Sequence, residues 1–199
     1  AQGTVLRDMT AEVVGDQDKV RLVSFTAGDG NGGTVTAGGA VRLDPDAGFP
    51  LELHAALDRF AALRRREATV QATGRIDLTR NLQGGRIVGQ MTVDQAELRV
   101  PDRLGTGIVT LDVTEVNLPE GSEAKERPAP ADAMPLELDV AVDVPGRAFL
   151  RGRGLDSEWR GALHVRGTTA EPDITGELNV VRGRLELLGR NFRFDRGQV

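Results

Sequence analysis

Residues 136–144 read Leu-Glu-Leu-Asp-Val-Ala-Val-Asp-Val. Leu136, Leu138, Val140, Val142 and Val144 take every second place, and Glu137, Asp139, Ala141 and Asp143 fill the places between. A period of two is the mark of a β-strand with one buried face, and strands buried on one side belong to antiparallel sheets. The same pattern sets Leu51, Leu53, Ala55 and Leu57 against Glu52, His54, Ala56 and Asp58. It returns as Ile87, Gly89, Met91 and Val93, as Leu163 and Val165, and as Ile174, Gly176, Leu178 and Val180. Gly and Pro punctuate these runs at the intervals that hairpins and meanders need. The expectation is an all-β chain, mostly antiparallel, with little or no helix. One segment competes: in 55–66, Leu57, Phe60, Ala61 and Leu63 would line a helix face.

Self-comparison finds a repeat of about 87 residues, because 73–100 aligns with 160–187 without a gap. Gly74 meets Gly161, Gly89 meets Gly176, Met91 meets Leu178 and Leu98 meets Leu185. Upstream, PLELHAALD (50–58) meets PLELDVAVD (135–143) with a shift of two. The predicted organisation is one section, 1–199, with repeated units at about 50–134 and 135–199. The Pro-rich, charged stretch 119–135 reads as a mobile loop between them. In both copies the apolar phase slips at one place, Asp94–Gln95 and Val181–Arg182, as a hairpin or a bulge would make it do. Gly89 and Gly176 fall on the apolar face itself, where a glycine marks a bend or a close backbone approach. Repeated along a sheet, that suggests curvature with the apolar side concave.

Composition narrows the function classes. The chain's 199 residues carry 25 Lys and Arg against 30 Asp and Glu, a net charge of −5, which argues against nucleic acid as a partner. Cysteine is absent, and with it disulfides and thiolate chemistry. No run approaches a membrane-spanning helix. One Trp and six Phe are too few for the aromatic girdles of a transmembrane barrel. The chain begins and ends in mid-pattern, which suggests a piece of something longer.

No motif supports an enzyme. His54 and His164 sit on polar strand faces without zinc-site spacing. Gly28-Asp29-Gly30-Asn31-Gly32-Gly33 lacks the Lys-Ser/Thr of a phosphate loop and reads as a flexible hairpin turn. Gly152-Arg153-Gly154 has no third glycine at dinucleotide spacing, and Ser157 lies in no nucleophile elbow. Asp44-Pro45-Asp46 and Arg64-Arg65-Arg66 read as turns. No catalytic residue, metal site or cofactor is expected. The aliphatic face needs a cover, which a second sheet, a barrel closure or a fold of the sheet around a ligand would supply. Its Leu, Val, Ile and Ala suit acyl chains and an ordinary core equally.

Residues 144–199 resemble the TamB family, AsmA-like components of the translocation and assembly module. The matching elements are Val144-Pro145-Gly146-Arg147, Arg151-Gly152-Arg153-Gly154-Leu155, Trp159-Arg160-Gly161, Gly167-Thr168 and Pro172-Asp173-Ile174-Thr175-Gly176. Arg182-Gly183, Leu188-Gly189-Arg190 and Phe192-Arg193-Phe194 complete the series. The resemblance implies a β-taco: a curved, mostly antiparallel sheet folded into a groove with an aliphatic concave face. It implies a section of a β-rich body, short of the C-terminus, that crosses the periplasm of a Gram-negative bacterium from an inner-membrane anchor. The implied partners are phospholipid acyl chains and a TamA-like outer-membrane barrel, and the implied role is lipid transport and outer-membrane biogenesis.

On that footing the groove lining is Leu51, Leu53, Leu57, Ile76, Leu78, Ile87, Met91, Val93, Leu98 and Val100, then Leu136, Leu138, Val140, Val142, Leu163, Val165, Ile174, Leu178, Val180, Leu185 and Leu187. A scaffold that assembles barrel proteins by strand augmentation and a closed, adhesin-like β-sandwich are the rival readings. Open edge strands would also allow dimers paired edge to edge.

Overall fold

Where the sequence alternates, the chain forms strand. A computed structural model describes residues 6–101, 135–194 and 197. Its strands are β1 (Arg7–Gly15), β2 (Lys19–Gly28), β3 (Thr34–Arg42), β4 (Leu51–Arg64), β5 (Ala68–Asn81), β6 (Gly84–Arg99), β7 (Glu137–Gly152), β8 (Leu155–Gly167), β9 (Pro172–Leu187) and β10 (Arg190–Phe194). They make one ten-stranded sheet in chain order, with no helix among the described residues. β1 and β10 form its two edges, so the sheet is not closed into a barrel. No second sheet lies against it among the described residues, as a closed sandwich would require. The loop expected over 119–135 falls, apart from Pro135, outside the described residues.

The segment 55–66, where a helix competes in the sequence, is strand as far as Arg64 and makes up most of β4. Leu57, Phe60 and Leu63 do share a face, but two irregularities in the strand put them there. Leu57 pairs with Gly74, Phe60 with Ala72 and Leu63 with Val70, so the register slips once at Asp58–Arg59 and again at Ala62. An inserted residue turns period two into a spacing of three, which imitates a helix. Arg59 takes φ 45, the left-handed conformation that an inserted residue often adopts.

The phase slips of the repeat are bulges, not hairpins. Asp94 is the extra residue of β6 between the pairs Gln71–Gln95 and Ala72–Val93. Val181 is the extra residue of β9 between Glu158–Arg182 and Trp159–Val180. β7 slips at Pro145–Arg147 and β2 at Val23–Ser24. Those of β4, β6, β7 and β9 stand at matching heights across the sheet, whereas that of β2 lies level with His54, away from them. A bulge bends its strand, so a row of bulges creases the sheet.

Burial follows the crease. Phe60, Ala72, Val93, Ala96, Val144 and Val180 are each at most 9% exposed. Farther along the same strands Leu98 is 44% exposed and Ile174 62%. With a single layer, an apolar side chain loses its water only where the sheet wraps around it. The apolar face is therefore the concave one. Val93, Ala96 and Val144 form the core, with Val70, Val142, Ala148 and Leu178 packed against them.

Two glycines permit the close packing beside that core. Gly161 has φ +158 and Gly176 φ +143, and a Cβ on either would strike a backbone carbonyl of the next strand. No L side chain fits there.

The three strands β4–β6 and the three strands β7–β9 run in the same directions, as a translational repeat demands. An odd number of strands per unit then forces the junction to be parallel. β6 and β7 are the one parallel pair. A tight turn cannot make such a connection, and the chain spends residues 100–136 on it.

Truncating a residue in the crease is expected to cost far more than truncating one near the rim. Phe60→Ala should lower stability by about 3 kcal/mol, and Ile174→Ala by less than about 0.5 kcal/mol. Urea midpoints of the two variants check this.

Candidate functional site: an apolar trough

Cross-strand pairing shows how continuous the concave face is. One row runs from Phe25 through Ala37, Ala55, Ile76, Gly89, Val140 and Val165 to Ile174, eight strands without a polar side chain. The next row runs Ala27, Val35, Leu57, Gly74, Met91, Val142, Leu163, Gly176. Leu53, Leu78, Ile87 and Leu138 form a third. Beyond the crease, Ala68, Leu98, Leu150, Ser157, Gly183 and Phe194 form another.

The residues expected to line the groove stand together on this face. Leu51, Leu53 and Leu57 come from β4, Ile76 and Leu78 from β5, and Ile87, Met91, Val93 and Leu98 from β6. β7 gives Leu138, Val140 and Val142, β8 gives Leu163 and Val165, and β9 gives Ile174, Leu178, Val180, Leu185 and Leu187. Val100 and Leu136 lie just outside β6 and β7. Sequence reasoning missed Val20, Leu22, Phe25 and Ala27 on β2, because the bulge at Val23–Ser24 breaks their alternation. It also missed Phe60, hidden in the helical spacing, and Trp159, whose ring interrupts an aliphatic pattern.

A buried polar side chain, that of Ser157, enters the face. Ser157 is 2% exposed, donates its hydroxyl to the Leu150 carbonyl at 3.3 Å and accepts the Trp159 indole N–H at 2.9 Å. Its hydroxyl proton and one of its two lone pairs are engaged within the sheet.

The convex face is polar and holds the register of the sheet. At the parallel seam, Arg86 donates to Asp139 at 2.6 Å, and His164 Nε2 lies 2.8 Å from the other oxygen of Asp139. The bonds from His164 and Arg86 hold Asp139 below the usual carboxylate range. Arg147 donates to Gln95 at 2.8 Å and Arg151 to Glu97 at 3.2 Å across the same seam. Exposed pairs of this kind contribute little stability. Their placement on three levels of a parallel junction fixes which residues face which. His164 is thus a cross-strand partner rather than a solvated side chain, and the ring of His54 lies against Gly38.

The glycine-rich segment 28–33 is the β2–β3 turn, but it is pinned rather than flexible. Asp29 is 1% exposed. One of its carboxylate oxygens accepts the N–H groups of Asn31 and Gly33, and the other accepts that of Ala61, across the bulge of β4. Burial opposes its ionisation, but these three bonds and the nearby Arg64 outweigh it and hold Asp29 below the ordinary value of 3.8. Asp44 caps its own turn by accepting from Ala47, Gly152-Arg153-Gly154 is the β7–β8 turn, and Arg64–Arg66 open the β4–β5 turn.

The family model described as the TamB C-terminal domain matches residues 23–199. The chain belongs to the TamB family. Membership makes this a bacterial envelope protein tied to the translocation and assembly module, which works with an outer-membrane partner. No curated protein and no solved structure matches the chain. Among the described residues no helix is long and apolar enough to cross a membrane.

The Asp29 staple predicts a pH dependence. Its folded pKa is lowered, so its contribution is complete above the unfolded value of 3.8 and disappears as pH falls through the folded value. Asp29→Asn should cost about 2 kcal/mol at neutral pH, and the gap to wild type should close below pH 3.8. Urea midpoints measured from pH 7 to pH 3 give the answer.

Proposed function

We propose that this TamB domain is a non-enzymatic conduit section that carries phospholipid acyl chains along its concave face, between inner and outer membrane. The observation that carries the proposal is the apolar row from Phe25 to Ile174, which crosses eight strands and has no covering layer among the described residues. A soluble protein rarely leaves so large an apolar patch without a ligand for it. Each buried CH₂ of a guest would gain about 0.8 kcal/mol. With no anchoring polar group in the rows, one position is much like the next, and a chain can slide. In this reading the full-length protein is anchored in the inner membrane, crosses the periplasm and meets a TamA-like barrel.

The two open edges support a second reading, a scaffold that templates barrel strands by augmentation. All of β1 is exposed, and β10 covers only the Gly183–Leu187 end of β9. The same edges would serve a dimer.

Native mass spectrometry with lipid extraction separates the readings. The conduit predicts co-purified phospholipid that is lost in a Val140→Asp Ile174→Arg variant whose sheet circular dichroism is intact. A lipid-free wild type that captures unfolded barrel protein would contradict the conduit and favour the scaffold.

A further inference from the structure

The two lips of the trough carry opposite charge. Strands β4 to β9 cross the crease, so their ends fall into two rows, one on each side of it. On one side β4 ends with Arg64, and the β4–β5 turn holds Arg65 and Arg66. β6 ends there with Arg99, Arg153 fills the β7–β8 turn, and Arg190 opens β10. The acid among these turns and terminal residues is Glu67. The other side reverses the balance. Its turns and strand ends hold Asp16, Asp18, Asp44, Asp46, Glu137 and Glu171 against Lys19 and Arg42.

Folding does not call for this separation. A mostly antiparallel sheet has almost no net dipole to complement. Among the described residues Arg65, Arg66, Arg153 and Arg190 form no ion pair, and all four are exposed. They are cations held along one lip without an ion-pair partner among the described residues.

The two walls also differ in height. From the crease to the basic lip runs Arg59 to Arg64 on β4, Asp94 to Arg99 on β6 and Val181 to Leu187 on β9. At about 3.3 Å per residue that wall is roughly 17–20 Å high. From Gly84 to Asp94 on β6, or Pro172 to Val181 on β9, the acidic wall is roughly 30 Å. The acyl chains of one leaflet span about 15 Å, half the hydrocarbon thickness of a bilayer. A lipid whose chains fill the trough from the crease therefore reaches the basic lip with its head group and falls well short of the acidic one.

The geometry points to an orientation site: the basic lip seats the phosphates of the phospholipids whose chains occupy the trough, so that lipids stand in one polarity, heads to the arginines. This rests on the conduit reading, and its test fails separately.

Binding of fluorescent phosphatidylglycerol is compared with that of a diacylglycerol with the same chains, which lacks the phosphate. The expected result is at least about tenfold tighter binding of phosphatidylglycerol at low salt, an advantage that added salt erodes. Arg65→Glu Arg66→Glu Arg153→Glu Arg190→Glu should abolish the advantage and leave diacylglycerol binding unchanged. Reversing Asp16, Asp18, Asp44 and Asp46 to Lys should not weaken phosphatidylglycerol binding. Equal binding of the two lipids, or a quadruple arginine variant that keeps the preference, overturns the orientation site and leaves the conduit standing. Binding of neither lipid overturns both. Displacement of phosphatidylglycerol by equimolar inorganic phosphate assigns the lip to free phosphate and overturns the proposal as well.

Discussion

A strand changes face at every residue, so one unmatched residue sends all that follow through to the other side of the sheet. In this chain that constraint governs everything else. Each strand pair that crosses the crease contains an insertion, and at each insertion the apolar phase of the sequence slips to match. Val93 is followed on the apolar face by Ala96, Val180 by Gly183 and Leu57 by Phe60. Because the slips coincide, the concave face stays apolar on both sides of the fold. Because the bulges align, there is a fold at all. The crease, the burial along it and the trough it encloses follow from one device repeated in neighbouring strands.

The repeat carries the same logic to a larger scale. Three strands per unit, laid down in one orientation, leave a parallel seam where units meet. Parallel pairing is slightly weaker per residue than antiparallel pairing and permits no tight turn. Here the seam is held on its convex side by Arg86–Asp139–His164, Gln95–Arg147 and Glu97–Arg151. On its concave side it is held by the best-buried cluster, Val93, Ala96 and Val144. The trough passes over the junction without interruption, since Gly89 meets Val140 and Met91 meets Val142 in register.

Much of this was legible in the residues. Strict alternation at 136–144 and 174–180 gave the strands, and the gapless match of 73–100 with 160–187 sets β5 and β6 beside β8 and β9. What alternation could not show was how a slip is made. Asp94–Gln95 reads equally as a turn or a bulge, and only cross-strand pairing separates them. β4 failed for the same reason, since two insertions within seven residues imitate a helical spacing. The parallel seam depends on the number of strands per unit, which no local pattern reports. Asp29 looked like a loop residue, because its third donor, the Ala61 N–H, is remote in sequence and adjacent only after folding. The charge of the two lips was invisible for the opposite reason: each arginine is an ordinary turn residue until the topology brings them to one side.

The central claim is that the concave face, and not the convex one, meets lipid. Site-specific photocrosslinking along β7 in living cells tests it most directly, with the probe placed in turn at each position from Glu137 to Val142. The account predicts phospholipid adducts at Leu138, Val140 and Val142 and none at Glu137, Asp139 and Ala141. Adducts without that two-residue period, or none at any position, would contradict it.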